Sequence, residues 1–391
     1  MNDQKLRVAF IEPVGGHGGM DYYDVGLCAA LGNEGVDVTL YTCDETAVNP
    51  QHPFKTSYTY QSIYGSDPTW RRGLRYLYGT LKTLYHAKAN HAQISHFHFF
   101  HIGPLEFCNI FLAWLIRLKV IVTAHDIESF VSQLSSPVLT RWVYRLATHV
   151  ITHNALSKQQ LATIAQIPER KITIIPHGNY LHALRPLPSL QAARVRLNLP
   201  QDANILLFFG QIKEVKGLDI LLQAMPALLQ QVPNTYLIIA GRVWKDDFAK
   251  YEKIIQQNQI EPYCRTYIHY IPNEEVATFY AAADLVVLPY RKIYQSGVLL
   301  MAMSYCKPVL ASDLDAMKQI IEHDQTGFLF PNGSVAALSA TLVRLLMDKE
   351  RLYQIARLGF EYIQKEHGWD TIGQQTIACY QQAMAHAKNG R

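Results

Sequence analysis

Charge is scarce in this chain. Asp, Glu, Lys and Arg make up 17% of the 391 residues, and 36 basic against 32 acidic side chains leave a formal charge of +4. So small a surplus argues against a dedicated nucleic-acid binder while leaving room for a local basic patch. No C-x-x-C pair occurs. Cys28, Cys43, Cys108, Cys264, Cys306 and Cys379 are scattered, which argues against a disulfide framework or zinc ribbon and fits reduced thiols. No apolar run approaches the ~18 residues of a membrane span. The opening MNDQKLRVAFIEP lacks a signal-peptide layout. The expected location is therefore cytoplasmic, at most peripheral at the inner membrane face.

What is present is apolar substance. Hydrophobic residues reach 49%, enough for cores in two domains of roughly 150–200 residues each. Strand and helix patterns alternate. Leu6–Ile11 reads as a strand, Gly15–Gly19 as a flexible loop, and a helix follows through Val25, Cys28 and Leu31 before the strand Val36–Thr42. Strands are further expected at Ile94–Phe100, Val120–Ala124, Val150–His153 and 172–175, with helices around Phe107–Leu118, Pro137–Ala147 and 157–165. The stretch with Pro186, Pro188 and Pro200 reads as a linker.

The alternation then restarts. Strands are expected at Ile205–Phe209, Tyr236–Ala240, 266–270, Leu285–Pro289 and Val309–Ser312, with helices at Leu218–Leu229, 246–257, 274–282, 298–305 and 335–347. Such alternation means parallel strands with crossover helices. The fold class is α/β, two doubly wound Rossmann-like domains facing a cleft. The expected divisions are 1–185, 186–368 and a final helix, 369–391, packing back on the first domain.

Three strand-to-helix corners can hold an anion, because helix-start amides and the helix dipole attract negative charge. The first is Gly15-Gly16-His17-Gly18-Gly19. It is not G-x-G-x-x-G, since Asp21 holds the last place, and a mobile turn explains it otherwise. Asp21 and Asp24 suit the helix dipole. The second, FFGQIKEVKGLDILL, places Gly210, Lys213, Lys216 and Gly217 together, a diphosphate clamp or simply exposed loop lysines. The third is Gln295-Ser296-Gly297-Val298, where helix capping alone also accounts for Ser296.

His125, after VIVTA, stands at a strand end and should point into the cleft, unless it is a satisfied structural histidine. A metal at His96, His98 and His101, with Glu106 nearest, lacks a completing partner. The tripeptide Asp313–Asp315 is weak support for metal-dependent sugar transfer. Residues 71–88 form an amphipathic basic helix. Leu74, Leu77, Tyr78, Leu81, Leu84 and Tyr85 fall on one stripe, with Arg71, Arg72, Arg75, Lys82 and His86 beside it. It either lies on an anionic membrane surface or packs into the core with a solvated basic edge.

Taken in order, GGHGGMDYYDVGLCAALGNEGVDVTLYT, VIVTAHD, IIPHGNY, FFGQIKEVKGLDILLQA, FYAAADLVVLPY and GVLLMAMSYCKPVLASD…TGFLF resemble glycosyltransferase family 4, a retaining family with the GT-B fold. The resemblance implies sugar transfer with retention, without metal or cofactor, from a nucleotide-diphosphate sugar (UDP- or GDP-linked) to a glycan or lipid-linked acceptor in surface-polysaccharide synthesis. By the same resemblance, His125 is the histidine near the sugar and Lys216 the lysine on the diphosphate. Gly15 and Gly16 approach the donor, Gly210 and Lys213 lie in its corner, and Ser296, Gly297 and Val298 offer amides. The chain departs from the family where Gln211 replaces an arginine, where Ile293 and Met301 replace paired glutamates, and at Gln319. Gln295 is the nearest polar substitute, and Lys213 can supply the charge missing at Gln211. Two other readings stay open: a catalytically silent transferase-like subunit, and a GT-B-shaped sugar-nucleotide epimerase.

Overall fold

In the computed structural model of the protein, residues 5–16, 20–99, 102–125 and 137–386 are described. The expectations on His17, Gly18, Gly19, His101 and Asp126 lie outside them. The chain divides into two compact units, Met1–Gly178 with His367–Arg391, and Asn179–Glu366.

The first unit holds a seven-stranded parallel sheet. Its strands are β1 (Arg7–Ile11), β2 (Asp37–Cys43), β3 (Lys55–Tyr60), β4 (Ile94–Phe99), β5 (Lys119–Ala124), β6 (His149–Thr152) and β7 (Ile172–Ile174), in the order β3-β2-β1-β4-β5-β6-β7. The crossover helices are α1 (Met20–Asn33), α2 (Thr69–Ala89), α3 (Pro104–Leu115), α4 (Pro137–Leu146) and α5 (Ala155–Ala165). The expected run from Leu6 to His153 is thus present, with the edge strand β3 added. KTSYTY is polar because an edge strand needs only one covered side.

The second unit begins with α6 (Leu190–Arg196), so the proline-punctuated stretch is not a plain linker. Its sheet combines β8 (Asn204–Phe209), β9 (Thr235–Ala240), β10 (Cys264–Tyr267), β11 (Leu285–Leu288), β12 (Val309–Ser312) and β13 (Phe328–Phe330), in the order β10-β9-β8-β11-β12-β13. The helices are α7 (Leu218–Gln231), α8 (Ala249–Gln257), α9 (Asn273–Ala282), α10 (Gly297–Ser304), α11 (Asp315–Lys318), α12 (Val335–Met347) and α13 (Lys349–Glu366). The last helix, α14 (Trp369–His386), returns to the first unit and packs on α1. Trp369 makes that packing specific, because a Cβ at either Gly26 or Gly178 would overlap its ring.

Both sheets reverse strand order between their first and fourth strands, β1/β4 and β8/β11. Ligands of open α/β sheets bind outside the carboxyl ends of the strands at such switch points. Strands covered on both faces are apolar runs, as Ile205, Leu206, Leu207 and Phe208 illustrate. β4 departs from that rule, since Ser95, His96 and His98 are fully buried in it. Buried polar groups need partners, and those of β4 lead to a candidate site.

Helix α2 inverts the usual logic. It buries Tyr76, Gly79, Thr80, Thr83, Leu84 and Ala87, while Leu74, Tyr78, Leu81 and Tyr85 are each more than half exposed. The core-packed reading of that stripe is therefore corrected for all but Leu84 and half-buried Leu77. No helix among the described residues is long and apolar enough to cross a membrane.

Candidate active-site corners

In the second unit, the loops after β8, β9 and β11 meet at the switch point. Gly210 follows β8 with φ +103, and a Cβ there would stand 3.0 Å from Val298 Cγ2 in the first turn of α10. Gly217 caps α7 at φ +65, where a Cβ would overlap the Pro289 carbonyl oxygen after β11. Only glycine suits both the backbone conformation and that close approach. The turn Glu214–Lys216 joins them, closed by the Lys216 amide donating to the Lys213 carbonyl at 2.9 Å.

Lys216 Nζ lies 3.7 Å from the centre of the Tyr290 ring. Tyr290 is buried, which raises its hydroxyl pKa, with the nearby Ser296 acting weakly against that rise. Ser296 in turn caps α10, accepting from the Leu299 amide at 3.2 Å. Arg291 grips Asp219 with two hydrogen bonds of 2.8 and 2.6 Å, tying the β11 loop to α7. Gln295 Nε2 is buried without a hydrogen-bond partner among the described residues. The structure thus brings Gly210, Lys213, Lys216, Ser296, Gly297 and Val298 to one corner, with Gln295 beside it. Met301 is half-buried on α10 between buried Leu300 and Ala302.

In the first unit, Glu12 closes the loop after β1. Its carboxylate accepts from the Val14 amide at 2.8 Å and the Gly15 amide at 2.5 Å. Burial outweighs those bonds and lifts its pKa to about 7, while Asp24, its hydrogen-bond partner, is pushed well above the carboxylate range by burial. Gly15 is backed so closely by Thr46 and Cys43 that no side chain fits, and its φ is +61.

His125 is buried, one position beyond β5. Its Nε2 is 3.2 Å from His98 Nδ1 and its Nδ1 is 3.0 Å from His153 Nε2. His153 Nδ1 is 2.9 Å from the carbonyl oxygen of Ile175. His98 Nδ1 also lies 3.4 Å from Asp24 Oδ1. His96 bridges Tyr380 of α14 at 2.6 Å and Thr123 at 2.7 Å. Burial holds His98 and His125 well below the usual imidazole range, His153 at about 4 and His96 at about 3. The cluster is therefore neutral at pH 7. The Tyr23 ring sits at its centre, within 6 Å of His98, His125, His153, His177 and Trp369.

Among the described residues no group of three His, Cys, Asp or Glu side chains converges to hold a metal ion. His96 and His98 share a strand face, yet both nitrogens of His96 and Nδ1 of His98 serve protein partners, while His98 Nε2 is buried without a hydrogen-bond partner among the described residues. Asp313 accepts from the Asn332 amide at 2.9 Å and lies 3.7 Å from Lys318. Arg71, Arg72, Arg75 and Lys82 stand on α2, which packs against β3 and α3. Arg75 is paired with Asp67 at 2.6 Å.

Glu12, His153 and His177 are absent from the site expectations drawn from the sequence. A signal existed for His153. It follows β6 as His125 follows β5, and the register pairs Ala124 with Thr152 just before them.

Residues 17–179 match the family described as Glycosyltransferase Family 4, and residues 191–359 match that described as Glycosyl transferases group 1. The chain is 23% identical to the D-inositol 3-phosphate glycosyltransferase of Thermobispora bispora, over 95% of this chain and 91% of that protein. Among solved structures, the sucrose-phosphate synthase of Thermosynechococcus elongatus superposes with a TM-score of 0.75 at 20% identity, covering 98% of this chain and 100% of that one. HepE of Anabaena in complex with UDP gives the same score at 18% identity, covering 96% and 100%. These likenesses agree with two Rossmann-like units of the GT-B type. The chain belongs to the family 4 type of glycosyltransferases.

Proposed function

We propose that the protein transfers a sugar, with retention and without a metal, from a nucleoside-diphosphate sugar (UDP- or GDP-linked) to a glycan or lipid-linked acceptor of the cell surface. The carrying observation is the corner at the second switch point, where Lys216 is held over Tyr290 and Gly210 stands against Val298 in the first turn of α10. The leaving diphosphate gains charge as the glycosidic bond breaks. A fixed ammonium and helix-start amides therefore stabilise the transition state more than the ground state. Lys216 and Lys213 take the phosphate oxygens, with the amides of Ser296, Gly297 and Val298. A glycine at 210 keeps the backbone close to them.

Gln295 has an energetic reason to meet the donor. A buried N–H without a partner costs about 1–3 kcal/mol, and a sugar hydroxyl oxygen relieves it. The first unit contributes Gly15, Gly16 and His125 to the same reaction. UDP is bound by HepE in its solved complex, which supports a uridine or related donor here. Ile293 and Met301, in place of two acids, favour a second reading, a silent partner subunit.

Incubation with UDP- and GDP-sugars separates the readings. Acceptor-dependent release of nucleoside diphosphate supports transfer, inversion at C2 of the sugar supports an epimerase, and silence across donors and acceptors supports the subunit.

A second part of the proposal concerns α2. Trp70, Leu74, Tyr78, Leu81 and Tyr85 project outward beside Arg71, Arg72, Arg75 and Lys82. Aromatic and leucine side chains flanked by cations suit an anionic lipid surface, where a lipid-linked acceptor would be met.

A further inference from the structure

Two hydrogen bonds link the rings of His98, His125 and His153, each neutral ring carries one proton, and the backbone decides which nitrogen carries it. A carbonyl oxygen only accepts, so His153 Nδ1, 2.9 Å from the Ile175 oxygen, must bear a proton. Being neutral, His153 then offers a bare Nε2, and the hydrogen bond of 3.0 Å there requires a proton on His125 Nδ1. His125 Nε2 is bare for the same reason, so the 3.2 Å contact is donated by His98 Nδ1. One backbone carbonyl thus sets three tautomers in series. This is the Nδ1–H form throughout, although second-partner hydrogen bonds are what normally select a histidine tautomer one ring at a time.

We infer that His153 is a positioning residue that fixes His125 as a hydrogen-bond acceptor at Nε2, so that a ligand hydroxyl meets it as donor and an acceptor-only group is refused. The inference rests on the role proposed for His125 in sugar transfer. The geometry also supplies the exchange. His98 Nδ1 donates to His125 Nε2 at 3.2 Å and lies 3.4 Å from Asp24 Oδ1, an oxygen with no hydrogen-bond partner among the described residues. A rotation of the His98 ring re-aims that N–H at Asp24 when a ligand hydroxyl takes its place as donor to His125 Nε2. Asp24 and Glu12, sharing a hydrogen bond behind it, complete the chain. The ordering His153 → His125 → His98 → Asp24 makes the outermost ring, His153, the control point.

The test is the ring-nitrogen spectrum of the full-length protein labelled with 15N-histidine, with resonances assigned by single substitutions. The wild type should show His98, His125 and His153 as neutral Nδ1–H rings from about pH 6 to about pH 8, a range centred near the ordinary imidazole pKa. His153→Phe fills the space without an acceptor and should move His125 to the Nε2–H form. His153→Gln, whose Oε1 can accept, should keep His125 in the Nδ1–H form. A wild-type His125 carrying its proton on Nε2, or a pattern unmoved by His153→Phe, overturns the inference. The Gln variant and the wild-type spectrum decide the matter even where the Phe variant fails to fold. In the transfer assay, His153→Phe should lose at least tenfold in kcat, and His153→Gln should recover most of it. Wild-type protein that transfers no sugar would retire the functional reading alone, because the ring spectrum judges the relay without any donor.

Discussion

Lys216 Nζ stands 3.7 Å from the centre of the buried Tyr290 ring, so the ammonium proposed to hold the diphosphate is itself held by an aromatic face. Lys216→Ala should lower kcat/KM about tenfold to over a hundredfold, the equivalent of roughly 1.5–3 kcal/mol for a charge-assisted contact. Tyr290→Leu removes the face and should cost about 0.5–2 kcal/mol, whereas Tyr290→Phe retains it. Steady-state kinetics on the three variants check the order. Equal activity in the Leu and Phe variants would separate the ring from Lys216.

By the resemblance alone, Met301 takes the place of an acid that would hold the donor's ribose, and it is half-buried on α10. Met301→Glu should either tighten nucleotide binding modestly, by supplying an acceptor for ribose, or lower the melting temperature by burying an unpaired charge. Calorimetry with UDP and GDP plus one thermal melt distinguishes these outcomes. A variant unchanged in both would place Met301 away from ribose and core alike.

The exposed face of α2 predicts salt-sensitive binding to anionic vesicles. Each basic residue near the surface is worth about 1 kcal/mol, so replacing Arg71, Arg72, Arg75 and Lys82 by Gln should release the protein. Cosedimentation with vesicles containing phosphatidylserine, at two salt concentrations, measures it. Binding that ignores these substitutions assigns the face another partner.

Stability in the second unit depends on a buried pair outside any active corner. Arg194 donates to Asp284 at 2.8 Å and to the Ala203 carbonyl at 3.0 Å, and Asp284 also accepts from the Ile205 amide and the Tyr353 hydroxyl. Arg194→Ala strands that carboxylate and should cost about 3–5 kcal/mol. Denaturant unfolding reads the loss. A change below about 1 kcal/mol would mean that water reaches Asp284.

Buried acid and buried imidazole pull stability in opposite directions with pH. Glu12 is raised from 4.5 to about 7 by burial, so its contribution is full below pH 4.5 and is lost as pH climbs through about 7. His153 is lowered from 6.5 to about 4, so its contribution is full above pH 6.5 and is lost as pH falls through about 4. Glu12→Gln removes the first dependence. Its melting temperature, relative to wild type, should therefore rise between about pH 5 and about pH 8. A difference flat across that range would show Glu12 ionised throughout.

Most of the fold was legible because buried parallel strands are apolar runs of distinctive length. Val309–Ser312 and 335–347 appear at the expected bounds. The edge strand Lys55–Tyr60 was not legible, since KTSYTY lacks a two-sided apolar signal. Nor was α6, hidden between prolines, although its Arg194 anchors a sheet end. Among site residues, glycines and lysines at strand-to-helix turns carry a local signature. The histidine chain does not. His98, His125 and His153 lie on three separate strands or strand ends, and only the parallel register β4-β5-β6 sets them side by side. The stripe on α2 shows the opposite limit, because periodicity gives a face and not what covers it.

The central claim is that the corner formed by Lys216 and the start of α10 holds the donor's diphosphate for transfer. The most direct measurement is nucleoside-diphosphate release from UDP- and GDP-sugars by wild type and Lys216→Ala, with and without a lipid-linked glycan acceptor. The account predicts acceptor-dependent release by the wild type that falls at least tenfold in the variant while the melting temperature holds. Release equal in the two proteins, or none from the wild type with any donor and acceptor, would contradict it.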